Sequence, residues 1–167
     1  MTHRLPTRHG SRPTTTPTNP HTQLDQNAPV DLQDRLRDHA VSLPGVRRGE
    51  SRVSVPGAVA FYLDDPVEPP TIPDILDGEW GHIHPHSDGS LHVNVPTVLA
   101  EELIAAGWAE FHSLVAPGVL PPLVIMLYGP RDAGEYDVCA AVVEEAYLAA
   151  GGARTATDGR PLGLAGR

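Results

Sequence analysis

The segment from Gly81 to Val95, GHIHPHSDGSLHVNV, constrains the fold more than any other part of this chain. Polar and apolar residues alternate on both sides of Ser87-Asp88-Gly89, which is the pattern of two antiparallel strands joined by a tight turn. A two-residue turn would mix polar and apolar side chains on both faces, whereas a three-residue loop with Gly89 in the left-handed position separates them. The sequence therefore predicts a β-hairpin with a three-residue loop.

In that register, one face of the hairpin carries histidines from both arms. The expected pairs are His86 with Ser90, His84 with His92, and His82 with Asn94. Residues directly opposite each other have Cβ atoms only about 4.5–5.5 Å apart, and two neighbouring imidazolium ions repel each other. At least one ring is therefore expected to be neutral near pH 7, and a neutral imidazole is a general base or a metal ligand. His112 would add another ring from a neighbouring strand.

Three interpretations of this face stay open on the sequence alone. The histidines could cover a solvent-facing sheet surface without any further role. They could bind a metal ion, in which case His84, His92 and His112 would supply three nitrogen ligands and leave an open coordination position. They could also carry acid–base chemistry on a bound molecule. Asp88 is assigned to the turn in each case.

The rest of the chain predicts helices packed on one sheet. Helices are expected over 31–42, 97–106 and 132–150, and further strands over 52–55, 58–63, 108–112 and 123–128. Apolar residues recur every three or four positions in the helices, and they alternate or run continuously in the strands. The order α-ββ-ββ-α-ββ-α is typical of an α+β domain with a single, mostly antiparallel sheet. An acidic, proline-rich stretch between Asp64 and Trp80 is expected to be a long loop.

Composition limits the folded part and its partners. Residues 1–30 are rich in Thr and Pro, and residues 151–167 lack apolar periodicity, so both are expected to be disordered beside a domain at 31–150. The formal net charge of −9 argues against nucleic acid. The chain has a single cysteine, Cys139, and no apolar stretch that suits a membrane span or a signal peptide. These features predict a cytoplasmic protein, and they leave its oligomeric state undetermined.

Several motifs make the chain resemble the fungal luciferase-like domain family, in the form of its short, bacterial-type members. They are His82-Ile83-His84, the stretch DGSLH from Asp88 to His92, Gly107-Trp108-x-Glu110-x-His112, and Tyr128-x-Pro130-Arg131. The shared order and spacing extend from Trp80 to Ala150, and before Asp64 only the LPGV stretch at Leu43 matches. The N-terminal membrane segment of the fungal luciferases, and the sequence that follows it, are not matched here.

The resemblance implies an oxygenase-type oxidoreductase, because fungal members oxidise a hydroxylated pyrone with molecular oxygen and emit light. It implies catalytic roles for His82, His84, His92 and His112, and substrate contacts for Trp108, Glu110, Tyr128 and Arg131. The expected substrate is a small aromatic or enolic molecule, and light emission is not expected. The cofactor is left undetermined, and a reaction with molecular oxygen alone is one of the options.

In the expected reaction, His84 or His92 would take a proton from the substrate, and Arg131 could stabilise the negative charge that develops. The alternative from another class is a non-catalytic module that binds a small molecule or a protein. Trp80 and Trp108 would then provide the main contacts.

Overall fold

The computed structural model describes residues 5–154, in which three helices and six strands are found. The helices are α1 (Val30–Ser42), α2 (Thr97–Ala105) and α3 (Ala133–Ala149). The strands are β1 (Val46–Glu50), β2 (Val59–Leu63), β3 (Glu79–Ile83), β4 (Leu91–Asn94), β5 (Ala109–Phe111) and β6 (Val124–Leu127). Their order along the chain is the predicted one, and the α+β class is confirmed.

The six strands form one antiparallel sheet in the order β1-β2-β3-β4-β6-β5. The apolar strand β6 (VIML) is buried along its whole length and lies inside the sheet. The charged strand β1 (VRRGE) lies at an edge, where only one side of a strand needs a partner. The prediction of a strand at 52–55 was wrong, because the partner of β2 is β1 at Val46–Glu50 and residues 52–55 belong to the loop that follows it.

The helices cover one face of the sheet and enclose the hydrophobic core. Apolar strand residues on that face include Phe61, Ile83, Leu91, Val93, Ile125 and Leu127, all of them buried. Leu36 of α1, Leu103 of α2 and Val143 of α3 pack into the same core and are fully buried. The opposite face of β3 and β4 is left for polar side chains. None of the helices within 5–154 has the length and apolar character needed to cross a bilayer.

The β3–β4 hairpin has a longer loop than the sequence predicted. His82 pairs with His92 rather than with Asn94, a shift of two residues, and the His84 N–H donates to the Ser90 carbonyl at 2.9 Å. Because side chains alternate with a period of two, an even shift leaves each one on its predicted face. The predicted separation of histidines from apolar residues therefore holds in β3 and β4, although the predicted register does not.

The described part of the N-terminal segment, residues 5–29, reaches the polar face of the sheet. It contains no regular helix or strand before Val30, apart from an isolated bridge between Thr15 and Gln23. The composition had predicted a disordered arm, and the lack of regular structure agrees with that composition. The structure differs in that His21 and Gln23 are buried, at 3% and 2% exposure. The other predicted arm, 151–167, lies outside the described residues from position 155 onward.

Candidate active site

Five imidazole rings lie together on the polar face of the sheet, and all five are buried. His82 and His92 come from β3 and β4, His84 and His112 follow β3 and β5, and His21 comes from the N-terminal segment. His92 is at the centre, with ring centroids 4.5 Å from His112, 4.7 Å from His84, 5.2 Å from His82 and 5.4 Å from His21. The structure thus brings together the four predicted catalytic histidines and a fifth that was not predicted.

The strand register explains this gathering. His82 and His92 are direct partners in β3 and β4, and the same row continues to Met126 in β6 and Glu110 in β5. Direct partners in an antiparallel pair lie on the same face of the sheet. The row therefore places Glu110 on the histidine face, where the Nε2 atom of His21 lies 2.7 Å from its Oε1 atom.

Three of the five rings have a carboxylate on one nitrogen. The contacts are His82 Nδ1 to Glu79 Oε1 at 2.7 Å, His84 Nδ1 to Asp88 Oδ2 at 2.5 Å, and His21 Nε2 to Glu110 Oε1 at 2.7 Å. An ionised carboxylate can only accept a hydrogen bond, so the ring nitrogen that faces it carries a proton. In a neutral ring, the other nitrogen then presents a lone pair to the cluster.

Glu79 reaches His82 through an irregularity in β3. Between two successive residues of β2, the pairing on β3 moves from Gly81 to Glu79, so Trp80 has no partner there. The extra residue turns Trp80 into the core, where its ring lies 5.3 Å from that of Phe61. Such a β-bulge reverses the alternation of faces beyond it. Glu79 consequently lies on the same face as His82.

Asp88 has two roles in the hairpin loop. Its Oδ2 atom accepts from His84, while its Oδ1 atom accepts from the backbone N–H of Ser90 at 3.0 Å and from the Ser90 hydroxyl at 2.6 Å. Gly89 follows in the left-handed region, with φ of 72°. The side chain of Gln33 in α1 secures the same loop by donating to the His86 carbonyl. The turn residue predicted from the sequence therefore also orients a ring of the cluster.

The contacts of the other two rings define their hydrogen-bonding roles. Nδ1 of His112 accepts from the backbone N–H of Leu114 at 3.1 Å, so in a neutral ring the proton is on Nε2. His92 has an imidazole at each nitrogen. Its Nδ1 lies 3.2 Å from His82 Nε2, and its Nε2 lies 3.3 Å from His21 Nδ1.

Burial favours the neutral form of three of the five rings, those of His82, His92 and His112. It lowers the pKa of His82, although the Glu79 carboxylate acts in the opposite direction. It lowers the pKa of His92 well below the usual value, and the neighbouring histidines lower it further. It lowers the pKa of His112 to about 4, with a smaller contribution from His21. Neutral imidazoles at pH 7 are the form that accepts protons or binds metals.

A cavity of about 500 Å³ opens onto the rings. Its remaining walls are largely apolar and come from the N-terminal segment, from the loops that follow β1, β2 and β5, and from the first residue of β6. The lining residues are Asn19, Pro20, His21, Val53, Ser54, Val55, Pro56, Ile75, His82, His84, His92, His112, Leu114, Leu120 and Val124. A polar floor of imidazoles under apolar walls can hold a small organic molecule and exchange a proton with it.

The predicted substrate contacts are placed unequally. Tyr128 donates from its hydroxyl to Glu110 at 2.9 Å, and both residues lie behind His21 rather than on the cavity wall. Trp108 donates from its indole N–H to the Pro6 carbonyl, away from the cavity. The structure therefore links Glu110 and Tyr128 to the rings only indirectly.

Arg131 is likewise not brought to the cavity. Its guanidinium is paired with the Glu135 carboxylate and donates to Gln26. Trp80, which a binding module would need at its surface, is 1% exposed. His86 turns away from the cluster, and its Nε2 lies 2.8 Å from the Asp34 carboxylate at the surface.

Within residues 5–154, two trios of histidines have ligand atoms that all lie within 4.8 Å of one another. One trio is His82, His84 and His92, and the other is His21, His92 and His112. The ligand set predicted from the sequence, His84, His92 and His112, is divided between these two trios.

Comparison with known proteins covers most of the histidine cluster. Residues 77–146 match the family model of the luciferase domain. This part of the chain is similar to the luciferase domain family. The matched range contains four of the five rings together with Glu79, Asp88 and Glu110, and His21 lies outside it.

Curated relatives carry the name luciferase. That of Armillaria mellea is 28% identical over 158 residues, which cover 84% of this chain and 59% of the relative. That of Neonothopanus nambi is 30% identical over 86 residues, or 49% of this chain and 32% of the relative. That of Armillaria ostoyae is 30% identical over the same length. The chain thus spans between about a third and three-fifths of the relatives it matches. No solved structure shows a significant match to it.

Proposed function

We propose that this chain is an oxygen-using enzyme that acts on a small aromatic or enolic molecule in the histidine cavity. The observation that carries the proposal is the gathering of five buried rings at one cavity of about 500 Å³. Cavities of roughly 300–1,000 Å³ suit small organic ligands. Apolar wall residues such as Val55 and Leu120 would hold a planar molecule against the rings.

The proposed reaction begins when the substrate loses a proton from an acidic hydroxyl or carbon. An unprotonated ring nitrogen of the cluster accepts it, and His84 fits this role because Asp88 holds the ring proton on Nδ1. The carbon of the resulting anion gives an electron pair to dioxygen, which forms a carbon–oxygen bond and reduces the oxygen to the peroxide level. The proton returns to the terminal oxygen, so that RH and O₂ give ROOH without another oxidant.

The luciferase relatives support an activity related to theirs, and light emission is not part of the proposal. A cytoplasmic location is part of it, supported by the single, buried cysteine Cys139. The net charge of −9 supports a small-molecule partner rather than nucleic acid.

The test is oxygen uptake by the full chain with a panel of catechols, hydroxypyrones and 1,3-diketones. We expect at least one compound to be consumed with one O₂ per molecule, and His84→Gln to lower kcat at least 100-fold, within the usual range of about 10²–10⁴ for a lost acid–base group. His86→Gln is the matched control, because His86 belongs to the same hairpin but faces Asp34. Uptake that is absent with the whole panel, or equal in the two variants, would contradict the proposal.

A further inference from the structure

The geometry points to a binding site for one divalent transition-metal ion, formed by His82, His84 and His92. This trio differs from the one predicted from the sequence, and it is argued from hydrogen-bond geometry and charge. The inference does not depend on whether the chain consumes oxygen.

The spacing of the trio suits a metal ion. One ring nitrogen from each of His82, His84 and His92 lies within 4.8 Å of the other two. The Nε2 of His82 and the Nδ1 of His92 are 3.2 Å apart. Two nitrogens bound tetrahedrally at about 2.0–2.1 Å from a zinc ion would be about 3.3–3.4 Å apart. The rings therefore need little movement to share one ion.

When every ring is neutral, one pair of facing nitrogens in the row His82, His92 and His21 has no hydrogen between them. Glu79 fixes a proton of His82 on Nδ1, and Glu110 fixes one of His21 on Nε2, so each of these rings, in its neutral form, turns a lone pair toward His92. A neutral His92 has one N–H and can donate it to only one of these neighbours. At the other neighbour, two lone pairs face each other across 3.2–3.3 Å. A cation bound to both of these nitrogens removes the repulsion.

A backbone hydrogen bond to His112 indicates which of the two histidine trios suits a metal ion. In the trio of His21, His92 and His112, the N–H of Leu114 donates to Nδ1 of His112 and leaves the proton of a neutral ring on Nε2. The nitrogen of His112 that is free of this contact is therefore a donor and not a ligand. If the N–H of His92 donates to His21, the Nδ1 of His92 has a free lone pair that faces His82. Asp88 holds the proton of His84 on Nδ1, so the lone pair of that ring is on Nε2. The trio of His82, His84 and His92 then offers three lone pairs.

The charges of two buried carboxylates also favour a metal ion at His82, His84 and His92. Glu79 and Asp88 are 0% and 5% exposed. Their polar contacts in the described part of the chain are imidazoles, hydroxyls and one backbone N–H, with no arginine among them. Buried carboxylates without a compensating cation are costly. Protonating both His82 and His84, whose stacked rings are 5.6 Å apart, would set two like charges side by side. A single divalent ion balances both carboxylates.

The arrangement matches a common design of histidine metal sites, in which each ligating ring donates its other N–H to a carboxylate. Imidazole ligands suit Zn²⁺, Fe²⁺, Co²⁺, Ni²⁺ and Cu²⁺. All three rings line the cavity, so open coordination positions would face the bound molecule. The nitrogens that hold a metal ion are not free to accept a proton, so the proposed reaction at His84 belongs to the metal-free chain, and oxygen uptake is to be measured after treatment with a chelator.

The first experiment uses Co²⁺ with the full chain, purified without a histidine tag and treated with a chelator. We expect one Co²⁺ per chain by equilibrium dialysis and elemental analysis, with visible absorption bands of a site of low coordination number. His84→Gln and Asp88→Asn should each weaken binding at least tenfold, since partners of ligating rings typically contribute about 10–100-fold. His112→Gln should stay within threefold of the wild type.

A measurement on the wild type alone keeps the inference testable if a variant does not fold. Two-bond ¹H–¹⁵N spectra should show Nδ1–H tautomers for His82 and His84 and the Nε2–H tautomer for His112. Adding Zn²⁺ should shift Nε2 of His82 and His84 together with Nδ1 of His92. Any other pattern of tautomers would overturn the inference.

Failure of this inference is distinguishable from failure of the proposed function. A chain that binds no Co²⁺ at micromolar concentration, or that loses binding equally in His112→Gln, overturns the metal site even if it consumes oxygen. A chain that binds Co²⁺ through this trio but consumes no oxygen supports the metal site and contradicts the proposed reaction.

Discussion

Glu79 and His82 lie on the same face of the sheet, with Oε1 and Nδ1 2.7 Å apart, although His82 follows Glu79 by three positions. Regular alternation would place them on opposite faces. Trp80, which has no partner on β2, turns into the core, and this brings Glu79 to the face that carries His82. One inserted residue therefore fills the core on one side and fixes the tautomer of a catalytic candidate on the other.

Replacing Glu79 with Gln should release the tautomer of His82. An amide can donate or accept, so it no longer requires a proton on Nδ1. Each 1.4 kcal/mol of lost preference lowers the ratio of the Nδ1–H to the Nε2–H form about tenfold. Two-bond ¹H–¹⁵N spectra of the metal-free protein measure this ratio directly. Glu50→Gln, at an exposed position of β1, should leave the ratio of His82 unchanged, and an unchanged ratio in Glu79→Gln would argue against the carboxylate contact.

Replacing Gly89 with Ala should destabilise the hairpin loop through two effects. A Cβ atom at Gly89 would lie 2.3 Å from the side chain of Gln33, and the φ of 72° disfavours any residue with a Cβ. Gly118→Ala is the matched control, since Gly118 has a φ of 78° but no atom within 4 Å of its Cβ position.

We expect a loss of about 1–2 kcal/mol for Gly118→Ala from the backbone alone, and roughly 1–3 kcal/mol more for Gly89→Ala from the steric overlap. Urea unfolding provides both values. Equal losses in the two variants would mean that the loop can move away from Gln33 without cost.

Replacing His21 with Asn should affect the site even though His21 belongs to the N-terminal segment. The change removes the ring stacked 5.4 Å from that of His92 and the partner of Glu110. Ring resonances of His92 and His112 should shift, and oxygen uptake with an active compound should fall at least tenfold. His9→Asn tests the same segment at an exposed position and should change neither readout. Unmoved resonances in His21→Asn would place the segment away from the cavity in solution.

Two glutamates of α3 should contribute to the free energy of unfolding with opposite dependences on pH. Burial alone would raise the pKa of Glu135, but hydrogen bonds from Arg131 and the charge of Arg8 outweigh it and lower the pKa. Because the folded pKa lies below the unfolded value of about 4.3, Glu135 stabilises the fold above that pH, and its contribution is lost as the pH falls. The stability advantage of the wild type over Glu135→Gln should therefore be constant from pH 6 to 8 and shrink below about pH 4.5.

Glu145 has the opposite sign. Burial raises its pKa, with a further contribution from Glu144, so its ionised form destabilises the fold as the pH rises through the folded value. Glu145→Gln should accordingly stabilise the protein at pH 7 and lose that advantage in acid. Urea unfolding at each pH measures both glutamates, and parallel profiles for the two variants would contradict these directions.

The hydrophobic pattern was sufficient to predict the element order and the histidine face of the hairpin. Periodicity identifies which residues are buried together. A register shift of two residues leaves every side chain on the same face, so the wrong pairing of His82 with Asn94 did not change the predicted faces. The longer loop is held by hydrogen bonds of the Gln33 and Asp88 side chains, and such contacts leave no periodic pattern in the sequence.

The parts of the site that were missed have similar causes. Glu79 fell within the stretch between Asp64 and Trp80 that was expected to be a loop, and the bulge that turns it toward His82 has no clear signal in the sequence. His21 lies in a stretch rich in Thr and Pro, and its contact with His92 joins positions 71 residues apart. A single histidine in a stretch without apolar periodicity does not indicate which distant residue it contacts. A count of histidines near carboxylates could have raised Glu79 and Asp88 as candidates.

The placement of His21 also bears on how this cavity can change. The sheet provides the reactive floor, while Asn19, Pro20 and His21 form part of the roof from a stretch outside the luciferase domain match. Asn19 and Pro20 contribute only to that roof, whereas His21 also contacts the ring of His92. Under the proposed function, substitutions at Asn19 and Pro20 would change which molecules fit the cavity while the four rings inside the domain match are kept.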